Sequence, residues 1–181
     1  MEIKPIPFGQ GNGYVLSSGE RVIIVDTGPK GRYKRIKRSL AAIGHDSTEI
    51  SLLVLTPPPY DHTGNLAACK RMSGAPVVVH AAEAQVLREG YSTLPSGATP
   101  WGRFIVSLVR KLGMGGASFE PVDPEIVLGA SGETGRDTET CDLHEHGFPG
   151  AAIHTPSHSP GSISLLCDDG SCFPGDILFN I

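Results

Sequence analysis

The chain has 181 residues, of which 39% are hydrophobic and 19% charged, enough for one sizeable buried core and for a soluble globular domain rather than a disordered or fibrous one. Its net charge is −4, and its clustered cations (Lys30, Arg32, Lys34, Arg35, Lys37, Arg38) fall within one helical stretch, which argues against a nucleic-acid partner. The start, Met1-Glu2-Ile3-Lys4-Pro5, holds no apolar leader and no window reaches the roughly 20 apolar residues of a membrane span, so no membrane role and a cytoplasmic location are expected.

The first elements are β-rich. Tyr14-Val15-Leu16 and Arg21-Val22-Ile23-Ile24-Val25, separated by Ser17-Ser18-Gly19-Glu20, predict a hairpin, and Asp26-Thr27-Gly28-Pro29 a turn after it. Over 30–43, Tyr33, Ile36, Leu40 and Ile43 recur at helical spacing between charges, predicting a helix closed by Gly44. Ser51-Leu52-Leu53-Val54-Leu55 reads as a strand covered on both faces. A helix is predicted over 61–72, a buried strand over 75–80 and a helix over 81–88. Between Tyr91 and Glu125 lies a Gly/Pro-rich insertion with one amphipathic helix carrying Phe104, Ile105, Leu108, Val109 and Leu112, read as a helix packed on the core rather than a lid. Strands are predicted again over 125–128, 151–155, 162–167 and 172–174. One domain over 1–181 is expected.

The four cysteines (Cys69, Cys141, Cys167, Cys172) contain no C-x-x-C pair. Cys167 and Cys172 flank the turn Asp168-Asp169-Gly170-Ser171 and could face each other across a hairpin, although reduced, packed thiols are the expectation in a reducing compartment. His144 and His146 alternate as a strand pair would, with an exposed strand end as the expected setting, while His45 and His80 stand at element ends and need no ligand role. No nucleophile elbow G-x-S-x-G and no phosphate-binding loop occurs.

Three blocks carry chemistry: Thr56-Pro57-Pro58-Pro59-Tyr60-Asp61-His62-Thr63-Gly64-Asn65, then His154-Thr155-Pro156-Ser157-His158-Ser159-Pro160-Gly161-Ser162, then Gly175-Asp176-Ile177-Leu178-Phe179. Together with Asn12-Gly13-Tyr14 and Asp26-Thr27-Gly28, and in this order along nearly the whole chain, they resemble the metallo-β-lactamase superfamily of metal-dependent hydrolases, with T-H-x-H-x-D-H-x-G-N, H-T-P-G-H-T-P-G-S and G-D-x-L-F as its signatures. The set looks closest to the hydroxyacylglutathione (glyoxalase II) branch.

The resemblance implies an α/β fold, the αββα four-layer sandwich, with the site at one edge between two sheets. It implies metal ligands at Asp61, His62, His158 and Asp176, with His154 structural and the D-T-G turn supporting the ligand loop. Pro57 and Pro59 stand where the family has histidine, and a proline nitrogen has no lone pair to offer zinc. The family's last ligand lies beyond Ile181, so the domain is expected to be C-terminally incomplete, lacking a final strand and helix. Four donors suffice for at most one zinc, iron or manganese ion per chain, with Asp61 the catalytic residue orienting a metal-bound nucleophile on a small (thio)ester substrate. Two functions stay open: a weak, one-metal thioester hydrolase, or a metal-free relative kept as a binding or structural module. Ile177, Leu178, Phe179 and Ile181 on an unpaired strand predict a homodimer by edge pairing or by exchange of terminal segments, for burying ~400 Å² of apolar surface is worth about 10 kcal/mol before association costs.

Overall fold

The computed structural model describes residues 1–9, 11–57, 60–93, 116–129 and 139–177. The predicted amphipathic helix within 94–115, Pro59 of the ligand loop, and the apolar end at 178–181 lie outside the described residues.

Six strands make a mixed sheet in the order β1 (Glu2–Pro7), β2 (Asn12–Ser18), β3 (Arg21–Val25), β4 (Ile50–Val54), β5 (Val77–His80), β8 (Ile126–Leu128). The hairpin β2–β3 is antiparallel as expected, and β3, β4, β5 and β8 run parallel. A smaller antiparallel sheet follows the order β12 (Cys172–Phe173), β11 (Ile163–Cys167), β10 (Gly150–His154), β9 (Thr140–Asp142). Tyr91–Thr93 (β6) and Gly116–Ser118 (β7) form a separate two-stranded ladder.

The parallel strands read as unbroken apolar runs because each serves two cores in alternation. Val22, Ile24, Leu53, Val77 and Val79 face one way, onto α1 (Tyr33–Ala41), α3 (Leu66–Ser73) and α4 (Ala81–Glu89) through Ile36, Leu40, Leu66 and Leu87. Ile23, Val25, Leu52, Val54 and Val78 face the other way, onto Leu143, Phe148, Ala152, Ile163, Leu165 and Phe173 of the small sheet and its approach. Each fully buried branched side chain contributes about 1.5–3 kcal/mol by leaving water. Helix, sheet, sheet is therefore the layering among the described residues, and the mixed α/β fold is the one the sequence predicts. On the outer face of the small sheet, Leu166 is 43% exposed.

Several boundaries differ for local reasons. The first helix starts at Tyr33 rather than 30 because Gly31, at φ +82, turns the chain before it. The helix expected over 61–72 is broken into α2 (Tyr60–Thr63) and α3, since the Gly64 amide donates to Gly28 O at 2.9 Å instead of joining a helical ladder. Strand β1 departs from the sequence pattern, which Pro5 and Pro7 interrupt; among the described residues it is an edge strand paired with β2 alone, where missing donors are tolerated. His144 and His146 are not a strand pair but belong to a 3₁₀ turn, Leu143–His146, capped by Asp142. Cys167 and Cys172 do not face each other: Cys172 stands opposite Leu166, so the buried Cys167 and the exposed Cys172 point to opposite faces. Among the described residues no helix is long and apolar enough to cross a membrane.

Candidate metal centre

The carboxyl ends of β3 and β4 lie side by side, and the chain leaves both at the same edge of the sheet, where ligands gather in α/β folds. Asp26 follows β3 with φ +57, a left-handed conformation that aspartate adopts more readily than most residues. There its buried carboxylate accepts from the Thr56 amide at 2.9 Å and the Thr56 hydroxyl at 2.5 Å, so the turn after β3 fixes the loop after β4. The neighbouring Thr27 donates through its amide and hydroxyl to His62 O, at 2.7 and 2.8 Å. Asn65 Nδ2 donates to Thr27 O at 2.6 Å and Pro29 O at 2.8 Å. A Cβ on Gly64 would meet Lys30 N at 2.1 Å, so only glycine lets these two segments touch. The support expected of the Asp-Thr-Gly turn is present in these contacts.

His62 is thereby held with only 11% of its side chain exposed. Its Nδ1 lies 3.2 Å from Asp26 Oδ2, close enough for an ion pair but without a well-formed hydrogen bond. Its Nε2 points the other way, 3.3 Å from Asp176 Oδ2 and 3.8 Å from Asp61 Oδ2. Burial acts to lower the imidazole's pKa, but the Asp26 charge and the pairing with Asp176 outweigh it and carry it up to about 11. The same pairing, against burial and with the His62 and His158 charges, holds the Asp176 carboxyl below its ordinary value. Three carboxylates thus converge on one position and demand positive charge there.

Asp176 reaches the site from the turn after β12. A Cβ on Gly175, at φ +60, would come 2.6 Å from Thr56 Cβ and 3.6 Å from Pro57 Cδ, so Pro57 sits beside the Gly-Asp turn, where the resemblance places a ligand. The structure brings Asp61, His62 and Asp176 together along one cleft of about 560 Å³, also lined by Asn12, Tyr14, Cys172 and Phe173. His158 is exposed on the loop after β10, and does not line that cleft as the other three do. Sequence reasoning placed Asp26 in a supporting turn but missed its direct pairing with His62, which a backbone of positive φ makes possible and no spacing rule reveals.

Tetrahedral zinc at its usual bond lengths sets its ligands about 3.3 Å apart. The His62–Asp176 edge has that length, and Asp26 behind Nδ1 with Nε2 facing the cleft is the arrangement by which carboxylates orient metal-binding imidazoles. The Asp61 edge is about half an ångström longer, and among the described residues no group of three or more His, Cys, Asp or Glu side chains is disposed to hold a metal ion as it stands. The donor chemistry of His62, Asp61 and Asp176 suits a divalent ion, and Pro57 offers no donor to it.

The family model described as the metallo-beta-lactamase superfamily matches residues 6–181. No curated protein matches. Similar solved structures include a metallo-beta-lactamase from Cronobacter sakazakii described by a HARLDQ motif (24% identity, TM-score 0.62, 89% of this chain and 53% of that one). A beta-lactamase from Chitinophaga pinensis is 23% identical with TM-score 0.62, over 93% of this chain and 58% of its own. A class B3 di-zinc metallo-beta-lactamase from an Alaskan soil metagenome is 25% identical with TM-score 0.61, over 89% and 53%. The chain spans about half the length of these structures.

Proposed function

The chain belongs to the metallo-beta-lactamase superfamily, and from that premise we propose a hydrolytic domain whose cleft takes at most one divalent ion, zinc, iron or manganese, and acts weakly on a small thioester or ester. The observation that carries this reading is the convergence of Asp61 and Asp176 on His62 Nε2, at 3.8 and 3.3 Å, beside a proline at position 57. His62, Asp176 and Asp61 would hold the ion, with His158 as a fourth donor from its loop. A divalent ion held there would supply the Lewis acidity that hydrolysis of an acyl compound needs near neutral pH.

The protein's own groups do the rest. Asp26 keeps the His62 ring turned so that Nε2 faces the cleft. Asp61, the proposed catalytic residue, has about a third of its side chain open to solvent on the cleft wall, and accepts a hydrogen bond from the attacking water to aim it. Tyr14 and Phe173, with ring centroids 4.9 Å apart, give the same cleft an apolar wall for an acyl chain. The thioester preference rests on the glyoxalase II-like motif set; the beta-lactamase neighbours make a lactam the competing substrate.

Elemental analysis after dialysis, run beside thioester and lactam hydrolysis assays, tests this. Up to one equivalent of metal with slow thioester turnover is expected, and Pro57→His with Pro59→His should raise both. Two tightly bound equivalents in the unaltered chain would overturn the loss-of-ligand argument. No metal and no turnover would favour the second reading, a metal-free binding module in which the His62 imidazolium neutralises the carboxylates itself. The proposal includes a cytoplasmic location, which suits four free thiols, and a homodimer; a strictly monomeric species at high concentration in light scattering refutes the dimer.

A further inference from the structure

Beyond the cleft, the two sheets are joined by a pair of histidines that the metal chemistry does not use. His80 ends β5 and His154 ends β10, and their rings stack with centroids 3.8 Å apart at 10°. His80 Nδ1 accepts the Ala82 amide at 3.2 Å, capping α4, so that nitrogen carries a lone pair. Its Nε2 edge is closed in by Gly129, at φ +70, where a Cβ would come within 2.6 Å. His154 Nε2 lies 2.8 Å from Pro160 O, which can only accept, so His154 carries its proton there. One turn into α4, the buried Glu83 accepts the Gly161 amide at 3.0 Å, with no room for a side chain at 161. These contacts grip both ends of the loop over 155–161, the loop that carries His158 and is tied to the cleft by Ile163 N donating to Thr56 O at 2.9 Å.

We propose that His80, His154 and Glu83 form a clasp across the two sheets that positions the His158 loop, and that acidification releases it. A proton on His80 Nδ1 removes the cap on α4 and charges a ring stacked flat against another imidazole. Among the described residues, the titratable groups facing His80 are His154 from β10, Glu83 from α4 and Glu139 ahead of β9. Burial and then the His154 charge hold its pKa below 6.5, against the two glutamates. The sign follows: the folded clasp disfavours the proton, so its contribution is complete above about pH 6.5 and is lost as pH falls through the lowered value. The clasp contacts are made by residues other than the proposed metal ligands, so they can be read in the metal-free chain.

Amide hydrogen exchange by NMR on the chelator-treated full chain, with the His80 ring followed in the same samples, reads the clasp directly. Protection of the Gly161 and Ser162 amides, corrected for intrinsic rates, should hold steady above neutrality and fall several-fold as pH drops below about 6.5. His80→Asn keeps a capping acceptor but cannot titrate, so its profile should be flat. Glu83→Gln still offers an oxygen to Gly161 but removes a charge favouring the protonated ring, so the acid midpoint should move lower. A flat profile in the unaltered protein, a wild-type profile in His80→Asn, or a His80 ring titrating at or above 6.5 would overturn the proposal. The ring titration stands even if His80→Asn fails to fold.

Discussion

Replacing Asp26 with alanine should be among the most damaging single changes in this chain. Asp26 is 4% exposed, and its carboxylate holds three groups at once: the Thr56 amide, the Thr56 hydroxyl and the His62 ring. Thr56 is itself 1% exposed, so its amide and hydroxyl lose an acceptor inside the fold, and each stranded buried donor costs about 1–3 kcal/mol. Removing one partner of a buried ion pair adds about 3–5 kcal/mol where the other charge must stay. Because these groups form one network the contributions do not add, and a loss of about 4–6 kcal/mol is expected, a large share of a stability of about 5–15 kcal/mol. Asp26→Asn keeps one oxygen for the Thr56 amide but sets an NH2 group where the second oxygen faces the Thr56 hydroxyl and the His62 ring, so about 2–3 kcal/mol should go. Urea unfolding at neutral pH measures both, with the slope on denaturant unchanged if the folded state stays compact. In Asp26→Asn the His62 ring, followed by NMR in chelator-treated protein, should titrate well below about 11, since the Asp26 charge is the largest influence raising it. An alanine variant within about 1 kcal/mol of the parent would refute the assignment of Asp26 as the post that fixes the ligand loop.

In the metal-free chain the stability drawn from the His62 pairing is complete below its unfolded pKa of 6.5 and is lost as pH rises toward about 11, so a urea midpoint series should show a decline on the alkaline side that His62→Gln lacks. Gly64→Ala places a carbon 2.1 Å from the Lys30 nitrogen, and should cost about 1–3 kcal/mol in urea unfolding while prying the 28–30 turn from the loop behind His62. Asp176→Ala should reduce retained metal in elemental analysis more than His144→Ala does; the reverse order would move the site to the exposed Asp142–His144–Asp168 cluster.

Much of this was legible in the sequence because apolar runs and turn residues act locally. The hairpin before Asp26, the strand over Leu52–Val54 and the helix of Ile36 and Leu40 follow from periodicity alone. Asp61, His62 and Asp176 came from motif order, and the fold gathers them. What was missed depends on contacts distant in sequence. Strand β1 exists because β2 offers it a partner despite its prolines. The break at Gly64 exists because Gly28, 36 residues earlier, claims its amide. His80 and His154 are each unremarkable at a strand end, and only the packing of one sheet on the other stacks them.

The opposed placement of Cys167 and Cys172 bears on how the oligomer must be measured. A thiol facing the inter-sheet core and one facing outward cannot close a ring within the hairpin, so air oxidation has Cys172 as its exposed substrate, with another molecule's thiol as partner. Under non-reducing conditions that would yield a covalent pair of the same mass as an edge-paired dimer. A doubled mass that disappears with dithiothreitol reports handling, and one that survives both reductant and Cys172→Ser reports association.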